Sequence, residues 1–511
     1  MRKFFIAVII LILLLLSSCK NNSEVLKIDD DISGDIDDSD DIMEELDDEL
    51  SQEDLEEDSD EYPDEINDGN EPEIIQTGGI VIFDNHDLSF DKPSNYHTIL
   101  GQGGFFGYSI FRLNDDYWAV SAIHESIPPY DFEKATGVLY IFPTKVKLFS
   151  EVKLDMAGRL THPDLSLNAG FGFTVAGVCD INNNGFDDIV VSSHLATKGD
   201  LYAAGEIVVF YGGETGPENP IPWNTENTSI SRLSDTYIQR ADSMSQSLVC
   251  GDINGDGFAD VLAGGQNAGP ELTGGGSQGM VAFFKGTANG LEENESWVLL
   301  PEFEEKGQYF GSSMLLEDIN GDGVKDLIVS GWGLKGSEFA PGGGGVYIYH
   351  GGTDWQNGPS LTVFGLITSQ FGSVIKLVEV EDKTLLGVIA PKAAQNGTIY
   401  FYDPETLTEL FTVTVPSSLD MGELGSFTDF DTINDKDGKT ILVAGGKHFK
   451  DHGRVLCAQI TPESAQELVE CPWQPETTTG GFGSSIRNIG KTAGGLKDYI
   501  VIGMPEYLEI K

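Results

Sequence analysis

Asp180-Ile-Asn-Asn-Asn-Gly-Phe-Asp-Asp188 is a nonapeptide that the chain repeats as Asp252-Ile-Asn-Gly-Asp-Gly-Phe-Ala-Asp260 and as Asp318-Ile-Asn-Gly-Asp-Gly-Val-Lys-Asp326. Side-chain oxygens stand at positions 1, 3, 5 and 9: Asp180, Asn182, Asn184 and Asp188; Asp252, Asn254, Asp256 and Asp260; Asp318, Asn320, Asp322 and Asp326. Ca²⁺ takes about six to eight oxygens at roughly 2.3–2.6 Å, and alternate residues of a tight loop can supply them. Position 7 (Phe186, Phe258, Val324) would offer its backbone carbonyl, leaving its side chain free to be apolar and to pack. The glycine at position 6 (Gly185, Gly257, Gly323) permits the sharp turn. An apolar run follows each copy: Ile-Val-Val-Ser, Val-Leu-Ala-Gly and Leu-Ile-Val-Ser. These are not EF-hands, because the bidentate Glu at position 12 is missing and strand-like runs replace helical flanks. Each loop reads as a metal-stapled β-turn, giving about three structural calcium sites.

Outward from these loops the sequence repeats on a larger scale. Phe-Gly opens a unit at Phe106, Phe171, Phe310, Phe371 and Phe482, with degenerate openings at Met244-Ser245 and Leu424-Gly425. The seven starts lie roughly 53 to 73 residues apart, a spacing suited to propeller blades. Within a unit come a short strand, the acidic turn where present, an apolar strand and a glycine-rich loop. A third strand follows, such as Gly137-Val-Leu-Tyr-Ile-Phe142 or Gly205-Glu-Ile-Val-Val-Phe210, and then a fourth, such as Leu361-Thr-Val-Phe364. Four short strands per unit predict antiparallel blades.

The Phe-Gly openings with the Asp-x-Asn-x-Asp-Gly-x-x-Asp loops resemble the FG-GAP repeats of integrin α-subunits. The resemblance covers Gly78 to Lys511 and implies an all-β, seven-bladed propeller with metal loops between first and second strands. It also implies a role in adhesion or ligand capture. The sixth unit departs from the pattern at Thr432-Ile-Asn-Asp-Lys-Asp-Gly438, and no metal is expected there. The seventh unit stops after two strands, whereas Gly79–Phe83 and Tyr96–Leu100 have third- and fourth-strand character with no unit before them. The N-terminal strands are therefore expected to complete the last blade, removing the exposed sheet edges.

The chain of 511 residues carries a formal charge of −53 with only 30 Lys and Arg, which excludes a nucleic-acid partner by lack of any basic patch. Residues 1–18 read as a signal peptide: Arg2 and Lys3, an apolar stretch from Phe4 to Leu16, then Ser17-Ser18. The following Cys19 resembles the lipidated cysteine of bacterial lipoproteins, which implies an extracytoplasmic, lipid-anchored chain at an outer membrane or cell surface. Residues 19–77 hold about 26 Asp or Glu and two Lys, a composition expected to form a disordered acidic tether. Residues 78–511 form the propeller, expected to be monomeric.

Cys457 and Cys471 fall on the third and fourth strands of unit six and are expected to form a cross-strand disulfide. Cys179 and Cys250, on opposite strand phases, are expected to be small buried residues rather than a pair. The glycine-rich loops Leu195–Gly205, Gly265–Gly279 and Leu334–Gly344 should lie on the face opposite the calcium turns. The leading functional reading is a binding or adhesion module for a protein or glycan ligand. A glycan-active hydrolase or lyase competes with it, as does a structural part of a surface assembly. Catalysis lacks a visible signature: His448 and His452 sit in strand and loop context, and no Gly-x-Ser-x-Gly elbow leads into a helix. A carboxylate pair could still act across a cleft.

Overall fold

The computed structural model describes residues 74–510 except 77, 85–96, 102–103, 126–135, 145–151, 165–168, 216–220, 225, 235–242, 270–276, 304, 338–341, 420–425, 449–452, 472–480, 492–497 and 507. The signal segment, Cys19, Leu424-Gly425 and the tether up to residue 73 lie outside the described residues. Among the described residues no helix is long and apolar enough to cross a membrane.

Seven antiparallel sheets, each built on a run of four strands, form a seven-bladed β-propeller. The second blade is representative: Phe171–Cys179, Asp188–Ser193, Glu206–Phe210 and Thr228–Ser231 pair in chain order. First strands of successive blades lie side by side around a closed ring, the seventh meeting the first. Each sheet is covered on both faces by its neighbours. This explains why second strands such as Asp188–Ser193 and Asp326–Gly331 are buried at every position and read as unbroken apolar runs.

Closure follows the expected route. Ile486–Lys491 and Asp498–Met504 from the C-terminal end pair on through Gly79–Asp84 to His97–Leu100 from the N-terminal end. The tether boundary needs correction, because Ile74–Gln76 already pairs antiparallel with Leu508–Ile510. That pairing adds a second join beside the closing blade.

Phe-Gly marks the joint between blades. Phe106, Phe310, Phe371 and Phe482 each form a parallel bridge to the glycine opening the third strand of the preceding blade: Gly78, Gly279, Gly344 and Gly453. Gly279 has φ +82, and a Cβ there would stand 2.1 Å from the Phe310 backbone nitrogen. The degenerate opening keeps the same joint, with Met244 backbone against Gly205 and Ser245 held at φ 69.

Both disulfides are present. Cys457–Cys471 spans the outer hairpin of blade six with a Cα separation of 5.2 Å. The expectation for Cys179 and Cys250 was wrong: they are bonded to each other, Cα atoms 6.3 Å apart. Cys179 pairs with Asp188 in blade two, whereas Cys250 pairs with Val261 in blade three, one position off the equivalent Asp260. The two cysteines therefore leave opposite faces of equivalent sheets. In a ring of stacked blades, one face of a sheet meets the opposite face of the next. Opposite phase is thus what a bridge between blades requires.

Candidate metal loops and central channel

The three acidic loops join first to second strands of blades two, three and four, all at one end of the wheel. Each folds around its first aspartate. Asp180 accepts from the backbone N–H of Asn184 and Gly185 at 2.9 and 2.8 Å. Asp252 accepts from Gly255, Asp256 and Gly257, and Asp318 from Gly321, Asp322 and Gly323. Position 5 (Asn184, Asp256, Asp322) accepts from the N–H of position 7. Three copies thus adopt one hydrogen-bonding scheme.

Position 9 has a job beyond that of the other three. Asp188, Asp260 and Asp326 are fully buried as the first residues of their second strands. Each carboxylate receives one N–H from loop position 2 (Ile181, Ile253, Ile319) and one from the loop after the third strand (Gly212, Gly286, Gly351). It ties two turns of one blade together. Burial pushes the carboxyl groups of Asp188 and Asp260 up to about 6, against the pull of these N–H donors. At position 7 the apolar side chains do not all pack: Phe186 and Val324 are 38% and 39% exposed, because the loop stands off the end of the sheet.

Do these residues fit a hard cation? Among the described residues no three His, Cys, Asp or Glu side chains gather at one point. A cation here would draw on asparagine and carbonyl oxygens as well as carboxylates, a mixed oxygen set that suits Ca²⁺ rather than a softer metal. Asn182 Oδ1 is buried and has no hydrogen-bond partner. An orphaned acceptor at loop position 3 is what a ligand oxygen looks like without its ion. The donor set fits. In blade three, Lys285 Nζ sits 2.8 Å from Asp256 Oδ2 and places a fixed positive charge at that loop. In blade six the strand Asp429–Asn434 runs straight through the degenerate motif, and Asp435 closes a short turn by accepting from Asp437 and Lys439.

The inner strands enclose a channel of about 1240 Å³. Sequence reasoning missed its charged girdle. Lys376 is buried, with its ammonium donating to the carbonyls of Phe430 and Ile486 and paired with Asp429 at 2.5 Å. Asp429 also accepts from Ile486 N–H, and Asp431 from Asn488 N–H. Desolvation holds the Lys376 ammonium below the usual lysine range. The only sequence signal is a lone lysine in the apolar strand Val374–Val380. At another point of the channel wall His194 packs on Phe173 with ring centroids 4.0 Å apart, and burial lowers its imidazole to about 4.

The described parts of the glycine-rich loops between second and third strands leave the sheets at the end opposite the acidic loops, as antiparallel order demands. Tyr202, Leu366 and Ile367 at that end are 55%, 72% and 62% exposed.

Residues 171–210 and 245–284 match the FG-GAP repeat, each match running from first to third strand across an acidic loop. Integrin alpha-PS5 of Drosophila melanogaster is 29% identical over 266 residues, covering 51% of this chain and 22% of that protein. Phosphatidylinositol-glycan-specific phospholipase D of Homo sapiens is 25% identical over 312 residues, covering 55% and 35%. Integrin alpha-4 of Xenopus laevis is 23% identical over 259 residues, covering 50% and 22%. The chain spans between 22% and 37% of the length of the first relatives it matches.

Proposed function

We infer that this FG-GAP propeller, similar to part of integrin α-chains, is an extracytoplasmic binding module that captures a protein or glycan ligand. Lipid at Cys19 holds it to a membrane, and the acidic segment 19–73 spaces it from the surface. Calcium at the loops of Asp180, Asp252 and Asp318 stiffens one end of three neighbouring blades. Asp180, Asn182 and Asn184, with their counterparts in the other two loops, would hold the ions together with the carbonyls of Phe186, Phe258 and Val324. Asp188, Asp260 and Asp326 lock the loops to their sheets. The bound cation would supply charge neutralisation and rigidity, not chemistry on a ligand.

The observation that carries this reading is the single hydrogen-bonding scheme shared by the three loops, two of which lie inside the matched FG-GAP segments. The exposed Tyr202, Leu366 and Ile367 support placing the recognition surface at the opposite end. A hydrolytic reading draws on the phospholipase similarity alone. The channel carboxylates of Asp429 and Asp431 are already engaged by Lys376 and backbone N–H groups, which favours binding over turnover.

Thermal unfolding of the chain in chelator and then in calcium tests the metal. A ligand at 100 times its Kd stabilises the native state by about 2.7 kcal/mol per site. The melting temperature should rise with calcium, and the rise should shrink stepwise in D180A, D252A and D318A. A melting curve indifferent to calcium up to millimolar levels would remove calcium from the account.

A further inference from the structure

Between blades three and four, at the acidic-loop end, lies a cleft of about 700 Å³ that the adhesive reading does not use. Its volume falls within the range of roughly 300–1,000 Å³ typical of small-molecule sites. One wall is the outer hairpin of blade three. There Phe283 and Trp297 are directly opposed across the third and fourth strands and stack at 4.7 Å with rings 6° apart. The facing wall is the short 3₁₀ turn Trp355–Asn357 of blade four, capped by the Asp354 side chain on the Gln356 N–H. Trp355 meets Trp297 edge-on at 6.3 Å and is fixed by its indole N–H on the His350 carbonyl at 2.8 Å. The floor is the acidic loop of blade three at Asn254 and Asp256.

The chemistry of this lining is specific. Phe283 and Trp355 are buried, but Trp297 is only half-buried, a large flat indole kept at the cleft by a rigid backing. Around it stand exposed Ser296, Thr353 and Gln356, hydroxyl and amide groups rather than charges. The charges present are Lys285 and Asp256, paired at 2.8 Å, and the exposed Asp354, whose carboxylate accepts from the Gln356 N–H and the Asn357 side-chain amide. An aromatic platform rimmed by hydroxyl and amide groups and by one acceptor carboxylate, Asp354, matches a pyranose ring, whose hydroxyls can donate to such acceptors. In a β-linked gluco-configured sugar the equatorial hydroxyls leave axial C–H groups on both faces. Such a face can lie on an indole while the ring edge hydrogen-bonds to Ser296, Thr353 or Gln356. An anionic ligand would find no free cation here. A quaternary ammonium would want an open aromatic box, and two of the three rings are already buried.

We propose that this cleft is a saccharide-binding subsite for neutral β-linked gluco-configured units, with Trp297 as the stacking platform and Gln356 as a polar contact. It is distinct from the glycine-rich end, so either site can fail without the other.

The test titrates the full chain with cellobiose and with N,N′-diacetylchitobiose, following tryptophan emission and saturation-transfer NMR. At least one disaccharide should saturate with a Kd of about 1 mM or tighter. W297A should weaken it by about tenfold or more, as loss of a stacking aromatic implies. Q356A alters a solvent-exposed side chain and should keep the wild-type melting temperature while weakening binding by roughly threefold to tenfold. If W297A does not fold, Q356A decides. The proposal is overturned if neither disaccharide saturates by about 10 mM, a level corresponding to less than about 3 kcal/mol of binding. Unchanged affinity in Q356A and W297A overturns it too. Saturation by tetramethylammonium in place of the sugars would assign the cleft to a cation cage and reject the sugar.

Discussion

The bond between Cys179 and Cys250 should be the larger covalent contributor to stability in this wheel. Its partners are 71 residues apart, against 14 for Cys457 and Cys471. Closing a loop removes denatured-state entropy that grows with the logarithm of its length. The chain-entropy relation gives roughly 4 kcal/mol for the longer loop and about 3 kcal/mol for the shorter. The longer bridge also joins separate blades, where no backbone ladder links the sheets. The assay is guanidinium unfolding followed by tryptophan emission on four samples: oxidised wild type, reduced wild type, C179S/C250S and C457S/C471S. Reduced wild type keeps every atom but the bonds and controls for serine packing. Both double variants should unfold at lower denaturant than the oxidised chain, C179S/C250S by more. The denaturant slope should steepen most in C179S/C250S, because its unfolded state becomes the more expanded. If C179S/C250S stays within about 1 kcal/mol of oxidised wild type, the entropy argument fails. Non-reducing peptide mapping that finds free thiols at both positions would refute the bridge itself.

Replacing Gly279 by Ala tests the joint between blades. With φ +82 and a backbone nitrogen 2.1 Å from the new Cβ, the Phe310 bridge must move, and a loss of about 2 kcal/mol or more is expected in equilibrium unfolding. The same substitution at Gly185, also at positive φ but with nothing within 4 Å, should cost clearly less, and equal losses would remove the steric argument. His194 supplies a pH test. Its folded value near 4 lies below the ordinary 6.5, so the unfolded chain binds the proton first as pH falls. Its contribution is complete above about pH 6.5 and is lost towards pH 4, by up to about 3 kcal/mol. The H194Q chain should lose less stability than wild type on going from pH 6.5 to pH 4, by up to about 3 kcal/mol. A wild-type and variant profile that run parallel would show His194 to be freely protonated in the native state.

Most of the architecture is written in local chemistry. Phe-Gly and the loop glycines demand particular backbone conformations, and the Ile-Val-Val type runs demand burial on both faces, so blade number and strand order follow from position alone. The closing blade was legible because Gly79–Phe83 has third-strand character without a preceding partner. What sequence could not carry was anything decided between blades. The phase of Cys179 and Cys250 argued against a bond only within a single sheet; stacking reverses that logic. The two jobs within each loop were also hidden, since Asp188 and Asp180 are the same residue type and differ only in burial. The cleft of Trp297 and Trp355 joins residues of two blades and leaves no motif.

The stabilising devices divide the wheel into two arcs. Blades two to four carry the acidic loops, and the inter-blade disulfide joins blades two and three, a bond that depends on redox state. Blades five to seven carry neither loop nor inter-blade bond among the described residues; instead Lys376 reaches from blade five to the Phe430 carbonyl of blade six and the Ile486 carbonyl of blade seven. Asp429 and Asp431 of blade six in turn accept from backbone of blade seven. These contacts tie the inner strand of the closing blade to blades five and six. A buried charge is costly unless fully paired, and removing one partner strands the other at a cost of about 3–5 kcal/mol. That side of the closing blade is therefore held by a network that fails if a member is lost. A propeller whose closing blade joins first and last strands by non-covalent pairing gains from a fastening beside that blade that does not vary with conditions. The opposite arc, where the chain is continuous through every blade, can lend its loops to a variable one.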